Sequence, residues 1–179
     1  KQFEAMFAEY VGAKHAVAVS SCTSGTFLTL KALDIGPGDE VITTAMTFCS
    51  TVNAILHCGA TPVLADINPQ DGNISHEEIE KTITDRTVAI LPVHYAGMPC
   101  NMEEIVRLAD KYSLHVIEDA AHAVEGRIIG RNTGTIGTAG VYSFYATKNL
   151  AIGEGGMVAT NDSELAHRVA TLSLHGLSR

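Results

Sequence analysis

Short apolar runs alternate with helical patterns along almost the whole chain, and this alternation restricts the fold most strongly. Several runs are apolar at nearly every position, as expected for strands buried on both faces of a parallel sheet. Helical patterns between such runs are typical of α/β proteins. The predicted strands lie at 15–20, 40–44, 61–66, 87–93, 114–119, 139–144 and 156–160, and the predicted helices at 24–33, 47–58, 75–84, 101–112 and 162–174, after a first helix closed by Gly12.

The last two predicted strands are separated only by residues 145–155. A parallel crossover needs about a dozen residues or more, usually with a helix, so the final strand should run antiparallel to its neighbour. We therefore predict a three-layer α/β/α domain with a seven-stranded, mostly parallel sheet and one antiparallel strand. No repeat or linker divides residues 1–179. The chain starts inside one helical pattern and stops just after another, which is typical of a fragment.

Charge and cysteine content exclude several classes of function. The formal net charge of -8 at pH 7 argues against nucleic acid or an anionic membrane as partner. No apolar run is long enough to cross a bilayer. Cys22, Cys49, Cys58 and Cys100 do not have the spacing of metal ligands, so we expect no metal. They indicate reduced, mostly buried residues of a cytoplasmic protein.

Polar and reactive side chains follow several of the predicted strands. In an open α/β sheet such groups gather at the carboxyl ends of the strands. The edge should therefore hold an acid, a histidine, a lysine, hydroxyl groups and an aromatic ring. The segments concerned are "SSCTSGT" (20–26), "TTAMTF" (43–48), "HYAG" (94–97), "EDAAHA" (118–123) and "SFYATKN" (143–149).

Two of these segments have an ordinary structural interpretation as well as a functional one. "SSCTSGT" joins a strand to a helix, where free N–H groups favour an anion, although it has neither a Walker nor a dinucleotide pattern. Helix capping alone is the better interpretation of that segment taken singly. Asp119 ends an apolar strand, where a carboxylate needs a cation or hydrogen-bond donors; an N-cap or a salt bridge is equally favoured. A histidine such as His122, taken singly, more often has a structural role than a catalytic one.

Lys148 stands at the end of a strand and just before the glycine-rich "GEGG" (153–156). Most lysines are solvated surface residues, but a lysine beside an anion site is a candidate for a Schiff base with a carbonyl group. Pyridoxal phosphate needs such a lysine, an acid for its pyridine nitrogen and an anion site for its phosphate. All three occur at predicted strand ends, so pyridoxal phosphate is the predicted cofactor. The glycines would let the backbone turn tightly and leave space around the lysine.

Three segments in order, "GDEVITTAMTFCSTVNAILHCGATPVLADI" (38–67), "EDAAHA" and "SFYATKNLAIGEGGMVAT" (143–160), resemble the DegT/DnrJ/StrS family of pyridoxal-phosphate enzymes. These are mostly sugar aminotransferases of the aspartate-aminotransferase fold (fold type I). The chain looks closest to the type that makes UDP-4-amino-4-deoxy-L-arabinose, which shares "EDAAHA". The resemblance implies that residues 1–179 are the large, pyridoxal-phosphate-binding domain, without the N-terminal start and the small C-terminal domain of family members.

The resemblance also implies a role for each matching residue. Lys148 would be the catalytic residue, holding the cofactor and moving a proton, and Asp119 would pair with the pyridine nitrogen. Phe48 would stack on the ring, although core packing is its interpretation from the residues alone. His122 would lie near the phenolic oxygen of the cofactor. The phosphate would be bound by Thr23, Ser24 and Ser143.

The implied reaction moves an amino group, from glutamate, to a keto carbon of a nucleotide-linked sugar in cell-surface polysaccharide, lipopolysaccharide or antibiotic sugar biosynthesis. Family members form homodimers that share the active site, so this chain alone is expected to be inactive. Ordinary structural roles are favoured over substrate contact for His94 and Tyr95 in "HYAG".

Four alternatives remain. A family dehydratase would carry histidine in place of Lys148, which argues against it. An aminobenzoate-synthase type would act on a substrate without a nucleotide. A non-catalytic module would bind pyridoxal phosphate only, and a nucleotide-binding fold would need a fingerprint that the sequence lacks.

Overall fold

The computed structural model describes residues 1–177 and contains one large sheet with helices on both faces. The large sheet has seven strands, and a two-stranded hairpin forms a separate small sheet. The helices are α1 (Gln2–Val11), α2 (Cys22–Ala32), α3 (Cys49–His57), α4 (His76–Thr82), α5 (Met102–Tyr112) and α6 (Ser163–Ser173). The strands are β1 (His15–Val19), β2 (Glu40–Thr44), β3 (Thr61–Ala65), β4 (Thr87–Ile90), β5 (His115–Asp119), β6 (Arg127–Ile128), β7 (Arg131–Asn132), β8 (Ala139–Ser143) and β9 (Gly156–Thr160).

The strand order of the large sheet is β1-β9-β8-β5-β4-β2-β3. Strand β9 runs antiparallel to both of its neighbours, while the pairs β8–β5, β5–β4, β4–β2 and β2–β3 are parallel. The prediction of a mostly parallel sheet with one antiparallel strand is therefore confirmed. The reason is that the short connection between β8 and β9 returns the chain directly to the same edge of the sheet.

Neighbouring residues of each strand enter different hydrophobic clusters, one on each face of the sheet. Val141 and Val158 pack in a cluster that also includes residues of α2, α3 and α6, whereas Tyr142 and Met157 pack in a cluster with α1. A third cluster joins α4 and α5 to strands near the other end of the sheet. This alternation follows the period-two geometry of strands and gives the predicted three layers. Because of the same alternation, consecutive residues at the end of a strand point to opposite faces of the sheet.

Two helices begin directly after a capping residue, and several strands are shorter than predicted. Ser75 and Asn101 cap α4 and α5 by accepting hydrogen bonds from the backbone N–H groups of Glu78 and Glu104, the third residue of each helix. Strand β4 ends at Ile90, because Pro92 follows and cannot donate to a ladder. The β6–β7 hairpin was not predicted, since its strands have only two residues each.

The four cysteines are free, but they are less uniformly buried than expected. Cys58 and Cys100 are buried, Cys22 is half-buried and Cys49 is exposed. Cys49 is exposed because it opens helix α3 at the carboxyl edge of the sheet. Within residues 1–177, no helix has both the length and the apolar character needed to span a membrane.

Candidate active site

Asp119 is a buried carboxylate at the carboxyl end of β5. Its Oδ2 accepts a hydrogen bond from Thr51 Oγ1 at 2.9 Å, and its Oδ1 accepts one from the Ala121 backbone N–H at 3.1 Å. The residue is only 7% exposed, and no ion pair found within residues 1–177 includes it. No helix begins here for it to cap. Since the hydrogen-bond donors that contact this carboxylate are neutral groups, the position suits a cationic or protonated ring nitrogen.

Helix α2 begins where β1 ends, and its first turn is closed by a capping box. Ser21 Oγ accepts a hydrogen bond from the Ser24 N–H at 3.1 Å, and Ser24 Oγ accepts one from the Ser21 N–H at 3.0 Å. The capping interpretation is therefore confirmed for these two serines. The N–H groups of Cys22 and Thr23 have no acceptor within the described part of the chain. Free amides at a helix N-terminus favour an anion such as phosphate.

Ser143 and the start of α2 are brought together through Gly156. Ser143 lies opposite Gly156 in the β8–β9 ladder. A Cβ atom on Gly156 would lie 2.5 Å from the Ser21 carbonyl carbon and 2.7 Å from the Cys22 nitrogen. Only glycine fits where two backbones approach this closely. The space that this glycine leaves is occupied by the start of α2.

Replacing Gly156 with alanine is expected to lower the free energy of unfolding by about 1–3 kcal/mol, because the new methyl group must displace backbone atoms. Gly36→Ala is the matched control, since its Cβ atom would lie 3.6 Å from the nearest atom, the Cys58 carbonyl oxygen. The control is expected to leave stability unchanged or raise it by about 0.4–1 kcal/mol. Urea denaturation measures both, and equal effects of the two substitutions would contradict the close approach.

Phe48 lies on the surface at the start of α3. Its side chain is 77% exposed, so core packing is the wrong interpretation of this residue. The Thr51 N–H donates to the Phe48 carbonyl oxygen at 3.1 Å, and the Thr51 hydroxyl donates to Asp119. Phe48 therefore lies one helical turn before Thr51, the residue whose hydroxyl contacts the buried carboxylate. Sequence reasoning missed Thr51, although its spacing of three residues from Phe48 on a helix indicates a shared face.

Lys148 lies in the irregular connection between β8 and β9 and reaches back to the segment after β5. Its Nζ is 2.6 Å from His122 Nε2, and the ammonium group donates to that ring nitrogen. Asn149 Nδ2 donates to Glu125 Oε2 at 3.0 Å, which fastens the same two segments a second time. Gly153 turns the connection back with a φ of +100°, a conformation that favours glycine. The tight turn that the sequence predicted is thus confirmed at this glycine.

The pKa of His122 is lowered below its ordinary value of 6.5, first by partial burial and then by the Lys148 ammonium group, with Asp119 acting in the opposite direction. Protonation of the ring thus favours the unfolded chain. The stability that the neutral ring contributes is present above pH 6.5 and is lost as the pH falls through the folded-state pKa.

We expect Lys148→Met to raise the pKa of His122, because the repelling charge is gone. NMR titration of the ring protons measures this, and an unchanged pKa would contradict the contact.

Cys22 connects the start of α2 to the acid. Its Sγ lies 4.0 Å from Asp119 Oδ1. Burial of the thiol, followed by the nearby Asp119 carboxylate, raises its pKa well above the ordinary value, while Lys148 acts to lower it. The thiol is therefore protonated and unreactive at neutral pH. The contact places the first turn of α2, with its free amides, beside Asp119.

His94 is buried with its ring engaged on both sides, and Glu118, the residue before Asp119, is its partner. The structural role predicted for His94 is thus confirmed. Tyr95 is 39% exposed and its ring packs over the position of Gly72. Sequence reasoning treated Glu118 only as a neighbour of Asp119, and nothing in the sequence indicated that its carboxylate is buried.

Strand order and one antiparallel strand define this protein as having the fold of the type I aminotransferases. The model of the DegT/DnrJ/EryC1/StrS aminotransferase family matches residues 1–179, and the chain belongs to this family.

Three relatives illustrate the similarity. The spore coat polysaccharide biosynthesis protein SpsC of Bacillus subtilis is 56% identical over 179 residues, which are 100% of this chain and 46% of the relative. A structure of DesI in the presence of its TDP-sugar product has a TM-score of 0.93 and 40% identity, over 98% of this chain and 44% of DesI. A structure of ntda from Bacillus subtilis with bound cofactor PMP has a TM-score of 0.92 and 38% identity, over 98% of this chain and 40% of ntda. The chain spans about half the length of the curated relatives it matches.

Proposed function

We propose that this chain is the cofactor-binding large domain of a pyridoxal-phosphate-dependent sugar aminotransferase. The observation that carries the proposal is one edge of the sheet that holds Lys148, which contacts His122, and the buried Asp119, which forms no ion pair within residues 1–177. Free amides at the start of α2 lie at the same edge, near Cys22, whose thiol contacts that acid. Pyridoxal phosphate has an aldehyde, a ring nitrogen and a phosphate, and the three features provide a partner for each.

The residues of this chain fit the cofactor in separate ways. The amides of Cys22 and Thr23 would bind its phosphate, with hydroxyl groups of Ser24 and Ser143 nearby. Asp119 would hold a proton on the ring nitrogen, because a buried carboxylate stabilises the cationic form of a hydrogen-bonded partner. When bound, pyridoxal phosphate acts as an electron sink for the carbon that bears the amino group.

Three side chains would then orient the ring and move the proton. Phe48, exposed and one turn from Thr51, would cover one face of the ring and exclude water from it. Lys148 Nζ would hold the cofactor and later carry the proton to and from the reacting carbon. His122 Nε2 already accepts a hydrogen bond from Lys148, so it would keep the amine oriented toward the site.

For the whole protein, we propose that the amino acceptor is a keto sugar linked to a nucleotide, and that glutamate is the donor. The similarity to DesI and to SpsC supports a sugar acceptor. A homodimer in the cytoplasm, without nucleic acid or membrane as partner, is part of the same proposal. The net charge of -8 does not oppose an anionic substrate, because binding depends on local groups such as Lys148 and the amides of α2.

The test is spectroscopic and uses the complete native polypeptide. After incubation with pyridoxal phosphate and removal of free cofactor, we expect a visible absorption band that borohydride reduces and that glutamate bleaches. A band that glutamate and other amino acids leave unchanged would favour a non-catalytic binding module. Absence of any retained band would contradict the proposed function. With a bleached sample, restoration of the band by a keto nucleotide-sugar but not by an aminobenzoate precursor identifies the acceptor class.

A further inference from the structure

Glu118 uses both of its carboxylate oxygens on the sheet face opposite to the candidate site. Oε1 accepts hydrogen bonds from the backbone N–H groups of Ile136 and Gly137, each at 2.7 Å. Oε2 accepts from the Gly134 N–H at 2.7 Å and from His94 Nε2 at 3.0 Å. The side chains of Glu118 and His94 are both 0% exposed. A buried carboxylate with four satisfied bonds holds the segments that provide them in one arrangement.

His94 is present as the neutral ring with its proton on Nε2. Its Nδ1 accepts a hydrogen bond from the Cys100 backbone N–H at 3.1 Å and therefore carries no proton. Nε2 then donates to Glu118. Each nitrogen has one partner, so the ring cannot turn over without losing both bonds. The pair thus joins strand β5 to residues 94–100 through a defined tautomer.

The segment that follows β4 supports the backbone of two candidate site residues. The Asp119 N–H donates to the Pro92 carbonyl oxygen at 2.9 Å, and the His94 N–H donates to the Asp119 carbonyl oxygen at 3.1 Å. A Cβ atom on Gly97 would lie 2.8 Å from the His122 carbonyl oxygen, so the backbones at these positions are in close contact. Movement of residues 92–97 would therefore move both Asp119 and His122.

We propose that Glu118 and His94 form a positioning pair, which fixes the backbone of Asp119 and His122 by fastening residues 92–97 to β5. The pair touches neither cofactor nor substrate and acts through these backbone contacts. This proposal rests on the proposed function, because positioning matters only if Asp119 and His122 serve the cofactor.

Two substitutions of His94 separate its two hydrogen bonds. His94→Gln places an amide N–H near the position of Nε2 and keeps the bond to Glu118. His94→Asn places a carbonyl oxygen near Nδ1 and keeps the bond from the Cys100 N–H, but loses Glu118. Thr160→Val is the control for a general loss of stability, because its buried hydroxyl donates to the Thr138 carbonyl oxygen at 2.7 Å, at the last residue of β9 and at the opposite edge of the sheet.

We expect His94→Asn to lower kcat about 100-fold with little change in KM, as expected for displacement of catalytic groups by about 1 Å. The pKa of His122 in the cofactor-free protein, measured by NMR, should change in the same variant. His94→Gln should restore most of both values, and Thr160→Val should resemble wild type. A folded His94→Asn protein with wild-type kcat and His122 titration overturns the proposal, and so does equal behaviour of the two His94 variants.

If His94→Asn does not fold, Glu118→Gln takes its place. Its amide keeps one oxygen for the donors but turns an N–H group toward the others, so it disturbs the same pair from the side of β5. The same changes are expected, and a folded Glu118→Gln protein with wild-type kcat and His122 titration overturns the proposal. Nitrogen NMR shifts of wild-type His94 need no variant, and a proton on Nδ1 would also overturn it. A missing cofactor band in the wild type would instead overturn the proposed function, so the two failures are distinguishable.

Discussion

Replacing Lys148 with alanine is expected to abolish the borohydride-reducible band and to lower kcat/KM by about 10⁴-fold or more, the upper end of the effect of removing one acid–base group. The physical reason is that Lys148 provides an amine at the edge where Asp119, Phe48 and the start of α2 lie. Lys148 Nζ contacts His122 there, and the thiol of Cys22 experiences the charges of both Lys148 and Asp119. Absorption spectra before and after borohydride measure the first effect, and steady-state kinetics measure the second.

Lys148→Arg is the sharper variant for the same prediction. It keeps a positive charge beside His122, but a guanidinium group does not lose its proton and cannot react with an aldehyde. We therefore expect no reducible band in Lys148→Arg, although the pKa of His122 should remain low. Lys14→Ala, at an exposed lysine between α1 and β1, should retain the band. A reducible band in Lys148→Ala would show that another amine holds the cofactor.

Replacing Glu118 with alanine is expected to lower the free energy of unfolding by about 4 kcal/mol or more. Four donors would lose their acceptor: the buried amide of Gly134 and ring of His94, and the partly buried amides of Ile136 and Gly137. Each buried group left without a partner costs about 1–3 kcal/mol. Chemical denaturation measures the change, provided that the variant is still folded at the start of the titration.

Glu104→Ala is the matched comparison, because Glu104 pairs with Arg107 on the surface of α5. Exposed ion pairs contribute about 0–1 kcal/mol, so this variant should remain close to wild type. Glu118→Gln should lie between the two, since the amide keeps one oxygen but turns an N–H group toward backbone donors. Equal free energies of unfolding for Glu118→Ala and Glu104→Ala would contradict the presence of the four hydrogen bonds to Glu118 in solution.

The secondary structure was largely predictable because the sheet is buried on both faces. Strands such as β8 and β9 are continuous apolar runs, and helix starts such as those of α4 and α5 carry recognisable caps. The antiparallel direction of β9 followed from the length of one connection. Ends of strands were less predictable, as at Ile90, where β4 stops before Pro92 although the apolar run continues to Val93. The two-residue strands of the β6–β7 hairpin are too short to produce a pattern.

The residue types in the candidate site could also be predicted from the sequence alone. Lys148, Asp119 and the segment after β1 stand at strand ends, and a parallel sheet brings such positions to one edge. Their assigned roles remain predictions for the experiments above. The exposure of a side chain was harder to predict, since the residues next to Phe48 and Glu118 in the sequence do not indicate whether each side chain is buried. Phe48 is on the surface, and Glu118 is inside.

The sequence by itself determined the layered α/β architecture, the direction of β9 and the residue types at the carboxyl edge, because these depend on local patterns of apolar residues and on the lengths of connections. Only the tertiary structure decided which side chains meet. Thr51 and Asp119 are 68 positions apart, and His94 and Glu118 are 24 apart. Gly156 lies against the start of α2, although the two are far apart in the sequence. Such contacts depend on how whole elements pack, and no local pattern of residues encodes the distance between two strands that are remote in sequence.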